Sequence, residues 1–189
     1  SNSVFVIYNA RTGKQVARYS KRGIKPEPFC KIAAAAGKWF YEAMIAPEAM
    51  GSVGKSFMDE LRRIGYWNVY QRQVEFVATD VYTAKLGVTN SDGGQDMLTK
   101  LVNAIENEEI TVYDEVIYSE LSEYQVDPTG RVYHPGAKVK NSITGDIGKN
   151  HGDAAIAAAC GLIGMRQLNL SSEPNAEVIP DEIPEDCPA

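Results

Sequence analysis

The amino-acid sequence predicts an α/β fold, and three observations carry that prediction. Stretches in which apolar residues alternate two by two give way to stretches in which they recur every three or four positions. The order runs ββ, α, β, α and then mixed strands and helices, with no internal repeat. Of the 189 residues, 44% are hydrophobic and 23% charged, the balance of a globular chain with a core of its own.

The opening stretch from Ser3 to Tyr19 reads as a β-hairpin. Val4, Val6 and Tyr8 alternate with Phe5 and Ile7, Arg11-Thr12-Gly13-Lys14 supplies turn chemistry, and Gln15 to Tyr19 returns. Both alternating sets of the first strand are apolar, which predicts cover on both faces. A loop from Lys21 to Pro26 leads to Pro28, a residue suited to a first helical turn. Phe29, Ile32, Ala33, Ala36 and Phe40 then recur at helical spacing. The short apolar run Ala43 to Ala46 reads as a strand ended by Pro47 and Glu48. A second helix is expected over 54–64, with Val53, Phe57, Leu61 and Ile64 on one face and Gly65 as its stop.

Residues 66–79 predict two strands and 80–91 a loop. Asp92 with Gln95 suggests a capped start for a helix bearing Met97, Leu98, Leu101, Val102 and Ile105 on one side. Ile110 to Tyr113 predicts a short strand and Asp114 to Glu123 a short helix. Gln125 to Tyr133 should fold back around Asp127-Pro128-Thr129-Gly130. Residues 134–150 form a polar loop, and a helix rich in small residues follows over 153–164. From Ser171 onward, four prolines and six acids with few apolar residues suggest a tail lying over the surface or disordered.

Composition excludes several function classes. No apolar run approaches the roughly 18 residues of a membrane span, and Ser1-Asn2-Ser3-Val4 lacks the zones of a signal peptide. Cys30, Cys160 and Cys187 are odd in number and widely spaced, which disfavours a disulfide framework and favours a reducing compartment. With no CxxC and only His134 and His151, a structural zinc site has too few ligands. The net charge of −6 resides in the tail, whose six acids meet no Lys or Arg, leaving 19 acids against 19 bases in residues 1–170. An acidic total therefore does not exclude nucleic acid as a partner of the body, where local clustering decides.

Four features could carry chemistry. Ala49 to Ser56 fits a relaxed phosphate loop between strand and helix, with Lys55 and Ser56 in the phosphate and magnesium positions. Against it, Ala49 stands where the strict pattern has Gly, and the stretch also reads as an ordinary Gly-rich turn. Glu48 closes an apolar strand, at the edge where α/β sheets gather ligands and where solvated acids also sit. Asp153 shares a helical face with Ile156, Ala157, Cys160 and Ile163. A carboxylate aimed at a core must be paired or bind a cation; alternatively, Asp153 is simply an N-cap. His151 beside it is either a helper or a loop histidine. Arg131, His134, Lys138, Lys140 and Lys149 form a basic stretch that could neutralise phosphates or merely be solvated.

Several segments together resemble the nuclease domain of the large terminase subunit of tailed bacteriophages and prophages. They are Ser3 to Tyr8 with Thr12-Gly13, Ile45-Ala46-Pro47-Glu48, Gly51, Leu61, Gly65 to Tyr70, Gly87-Val88-Thr89-Asn90, Glu120-Leu121 with Tyr124, Gly130-Arg131, and His151 to Ala157. The resemblance covers about residues 3–165. It implies a ribonuclease H-like fold, a mixed sheet flanked by helices with carboxylates converging at one edge. It also implies a metal-dependent endonuclease that cuts concatemeric double-stranded DNA during genome packaging, with Glu48 and Asp153 as catalytic metal ligands and His151 as a helper. Two Mg²⁺ or Mn²⁺ ions, roughly 3.5–4 Å apart, would activate water and stabilise the leaving oxygen. Carboxylate oxygens suit those ions.

Arg131, Lys138, Lys140 and Lys149 would then contact DNA. Portal protein and small terminase subunit are the expected protein partners, no membrane is involved, and the bacterial host cytoplasm is the expected location. In the family the first catalytic Asp stands on a strand before the segment matching Ser3. Residues 1–170 are accordingly expected to be an N-terminally truncated nuclease domain, and 171–189 an acidic tail. Asn2 and Asn9 are poor substitutes for that Asp. The competing expectations are a non-catalytic DNA-binding or assembly module and a phosphate-loop nucleotidase.

Overall fold

The computed structural model describes residues 2–76, 81–89, 97–126, 128, 132–133 and 152–171. Strand β1 (Asn2–Tyr8) pairs antiparallel with β2 (Gln15–Arg22), as the alternation predicts. The turn depends on Gly13, whose φ of +68° suits a residue without a Cβ, and a Cβ there would lie 2.2 Å from the Glu109 carbonyl oxygen. Asn9 accepts from the amides of Arg11 (2.9 Å) and Thr12 (3.3 Å), so its side chain shapes this turn. Strand β2 runs on to Arg22, three residues past the expected end, because its partner β1 offers ladder positions as far as Asn2.

Helix α1 (Pro26–Trp39) and helix α2 (Gly51–Arg63) pack together over the aromatic rings of Phe29 and Phe57, 5.5 Å apart. Phe5 of β1 and Tyr19 of β2 stack beneath them at 5.2 Å. Gly65, at φ +70°, ends α2 where the sequence places the stop. Helix α2 begins three residues earlier than expected. Val53 leaves the predicted stripe and is 64% exposed, while Phe57 and Leu61 are buried.

The segment 43–49 runs extended between these helices and the rest of the chain. It makes single parallel bridges, Ile45 with Val69 and Glu48 with Val88, in place of a continuous strand. Strand β3 (Gln71–Phe76) pairs with β4 (Val81–Leu86), which corrects the expected loop over 80–91. The Asp92–Gln95 cap lies outside the described residues. Helix α3 (Met97–Glu106) buries Met97, Leu98, Leu101 and Ala104, whereas Val102 turns partly outward. Thr111 bridges Lys14 in parallel, and helix α4 (Glu115–Glu123) starts at Asp114, whose carboxylate accepts from the Val116 amide at 2.9 Å. A short hairpin, β5 (Gln125–Val126) and β6 (Val132–Tyr133), follows as expected. Helix α5 (Asp153–Ser171) extends well past the expected end at 164.

Alternation along the extended segments builds three layers. Val4, Val6, Tyr8, Met44, Ala46 and Tyr70 face a core formed with α3, α4 and α5. Their neighbours Phe5, Ile45 and Val69 face the opposite core, formed with α1 and α2. The first strand is thus covered on both faces. Helix α5 is buried over most of its circumference, with Ala154, Ala155, Ala158, Ala159 and Leu162 at 1% exposure or less. Its small side chains allow close approach: a Cβ on Gly161 would sit 2.9 Å from the Tyr8 ring. Cys30 and Cys160 are buried, and burial pushes the Cys30 thiol up to about 11. Among the described residues, no helix is long and apolar enough to cross a membrane.

Candidate functional site

Between β1 and the segment 44–48 lies a cleft of about 760 Å³. Residues of α1 and α2 form one wall, and Ile156, Ala157, Cys160, Gly161 and Gly164 of α5 form the other. Glu48 and Asp153 both line it, with Asn2 beside them. Residues far apart in the chain therefore meet at one end of a single cleft, the end where the segment 44–48 finishes and where α5 begins.

Each carboxylate is placed by its backbone. Glu48 follows the buried Pro47, and its segment is held by hydrogen bonds from Val88 N to Pro47 O and from Ala49 N to Val88 O, both 2.7 Å. Gly54 packs against it so closely that a Cβ there would lie 2.4 Å from the Glu48 carbonyl oxygen. Asp153 is the first residue of α5, and its Oδ2 accepts from the Asn2 amide at 2.5 Å. The alternative reading of Asp153 as a simple cap does not describe this helix. The free amides of Ala154 and Ala155 donate instead to Glu120 Oε2, at 2.7 and 2.9 Å.

Glu48 senses the charge of Asp153. The Glu48 carboxyl is raised above the usual carboxylate range, first by partial desolvation between the cleft walls and then by the Asp153 charge. Glu48 nonetheless remains exposed by area, so the repulsion is partly screened. Glu48→Gln removes it. That variant is expected to melt about 1–2 °C above the parent in metal-free buffer near neutral pH. A raised folded-state pKa means that the native chain binds this proton more tightly than the unfolded one. The penalty is thus present above the folded pKa and fades as pH falls through it. Thermal melts across that range should show the advantage of the variant shrinking in acid; a constant or growing advantage would contradict the coupling.

Two solved structures share the fold. Both are the large terminase nuclease from the thermophilic phage G20c, one with bound magnesium and one with bound cobalt. Each matches with a TM-score of 0.58 and 17% identity over 85% of this chain and 73% of that chain. The chain has the fold of a large terminase nuclease. No protein-family model matches it, and no curated protein does.

Within this terminase-nuclease fold, the predicted site residues fare differently. Glu48 and Asp153 are brought together. His151, Arg131, His134, Lys138, Lys140 and Lys149 lie outside the described residues. Lys55 and Ser56 fall inside helix α2, which already begins at Gly51. Their stretch is therefore helix and not a loop free to cradle phosphate, which corrects the phosphate-loop expectation. Among the described residues no group of three or more His, Cys, Asp or Glu side chains could hold a metal ion. Glu120, 4% exposed, is the acid that sequence reasoning passed over as a site residue. The signal was present: Ile117, Glu120, Leu121 and Tyr124 share one helical face, the same pattern that singled out Asp153.

Proposed function

We propose that this chain is the nuclease domain of a viral genome-packaging terminase, a ribonuclease H-like, metal-dependent endonuclease acting on double-stranded DNA. The convergence of Glu48 and Asp153 at one end of the cleft carries the reading. Their donor set fits hard divalent cations: carboxylate oxygens, partly shielded from water, mutually repelling and so favouring a cation between them. Glu48 and Asp153 would hold Mg²⁺ or Mn²⁺, two ions in the full site. When bound, such ions activate a water and stabilise the leaving oxygen of phosphodiester cleavage. His151, next but one to Asp153, would assist proton movement. Arg131, Lys138, Lys140 and Lys149 would hold the DNA backbone by its phosphates.

The cleft supports completion of the domain by one more strand. Among the described residues β1 has a ladder with β2 alone, and the segment 44–48 bridges only toward 69 and 88. Each borders the cleft with its other edge, between two largely apolar walls. Strand β1 starts at the acidic end, so a preceding segment joined by a tight turn would run antiparallel to β1 and parallel to 44–48. It would end beside Glu48 and Asp153, where the family's first Asp is expected.

Crystals soaked in Mn²⁺ and measured at the manganese edge test the site. An anomalous peak shared by Glu48 and Asp153 is the expected result. Adjacent carboxylates with no peak, both in this chain and with the extra strand supplied, would leave a non-catalytic assembly module as the better reading.

A further inference from the structure

We infer that Glu120 is a positioning residue: by capping α5 from the neighbouring helix, it frees Asp153 to face Glu48. The inference concerns the site proposed above and rests on that reading for its consequence at the metal, but not for its geometry.

An α-helix begins with amides that lack intrahelical partners, and a nearby carboxylate is drawn to them by hydrogen bonding and by the helix dipole. In α5 the residue before the helix is Gly152, which has no side chain with which to cap. Asp153 is then the acid best placed to swing back onto its own helix. Glu120 prevents this by occupying the amides of Ala154 and Ala155 with Oε2. It does so while almost wholly buried, so water cannot substitute for it.

Helix α4 is itself anchored, which makes the cap rigid. Gln15 Oε1 accepts from the amides of Tyr113 (2.8 Å) and Asp114 (3.1 Å), and Arg18 of β2 pairs with Asp114. One turn beyond Glu120, Tyr124 lies against Gly152, where a Cβ would come within 2.1 Å of its hydroxyl oxygen. Gly152 holds φ +68°, a conformation natural to glycine. Glu120 of α4 and Tyr124 just past its end thus hold the start of α5, and Asp153 is left to accept from Asn2 and to face the cleft.

The Asn2 amide proton reports on Asp153 without any metal, because a hydrogen bond to a carboxylate moves its NMR shift downfield. In the full chain, Asp153→Asn defines the shift when that charge is absent. Glu120→Ala should move the Asn2 amide toward that value, and Glu120→Gln, whose carbonyl can still accept from both amides, should keep it near the parent. Mn²⁺ titration at a temperature where each variant is folded should show affinity weakened about tenfold or more in Glu120→Ala. Glu120→Gln should stay within about threefold of the parent, by the same reasoning.

An Asn2 shift unchanged in Glu120→Ala, with the Ala154 and Ala155 amides altered, would overturn the inference. So would a Glu120→Gln variant that loses Mn²⁺ with all three amides in place, since charge and not capping would then be at work. If Glu120→Ala does not fold, the Gln variant alone decides between these results. If the Asn2 reporter behaves as expected while the parent binds no Mn²⁺, either in this chain or with the extra strand supplied, the positioning stands and the nuclease reading fails.

Discussion

Asp153→Ala is expected to abolish Mn²⁺-dependent plasmid cleavage by a form of the protein that carries the strand proposed for the cleft. The loss should reach at least about 10³-fold, the upper range for deleting one group that stabilises transition-state charge. The fold should survive, for three reasons that the structure supplies. Ala is the best helix former. The amides at the start of α5 are capped by Glu120 and not by Asp153. The Asp153 side chain also takes a repulsive interaction with Glu48 away when it goes. Gel-based cleavage over a Mn²⁺ series, alongside thermal melts, separates chemistry from folding. Cleavage at the parental rate would sink the assignment of Asp153.

Leu61→Ala should produce a large loss of stability. Leu61 is fully buried in the core shared by α1 and α2, beside Phe29, Phe57 and Tyr66. Emptying such a site costs about 3 kcal/mol, from lost burial and from the cavity left behind. For a chain of this size that corresponds to a melting temperature lower by about 6–12 °C. Val53→Ala is the informative control. The sequence places Val53 on the same stripe, but its 64% exposure predicts a change within about 0.5 kcal/mol. Equal losses in the two variants would show that the stripe, and not the observed burial, describes this helix. Melts followed by far-ultraviolet circular dichroism suffice for both.

That contrast shows how far periodicity reaches. Phe57 and Leu61 obey the helical stripe because they meet α1, whereas Val53 precedes the contact and stands at the rim of the cleft. The hairpin and α1 were legible for local reasons: alternation with a Gly13 turn and helical spacing behind a proline. Strand β4 was not, because residues 81–86 carry no clear alternation and pair through their backbone with β3. The extent of α5 escaped too, since a helix buried on most sides has no polar face to mark its course.

The candidate site divides in the same way. Glu48 at the close of an apolar run and Asp153 on an apolar helical face were written in the sequence, because an acid in such a place needs a reason to be there. Whether Asp153 served as a cap or faced a cleft could not be read from its own neighbours. That was decided by Glu120, which reaches the same helix from α4 and takes the amides first. Local spacing determines which face of its own element a side chain occupies. Only the packing of one element on another determines which of several competing acids the helix start receives, and which is left for the ligand.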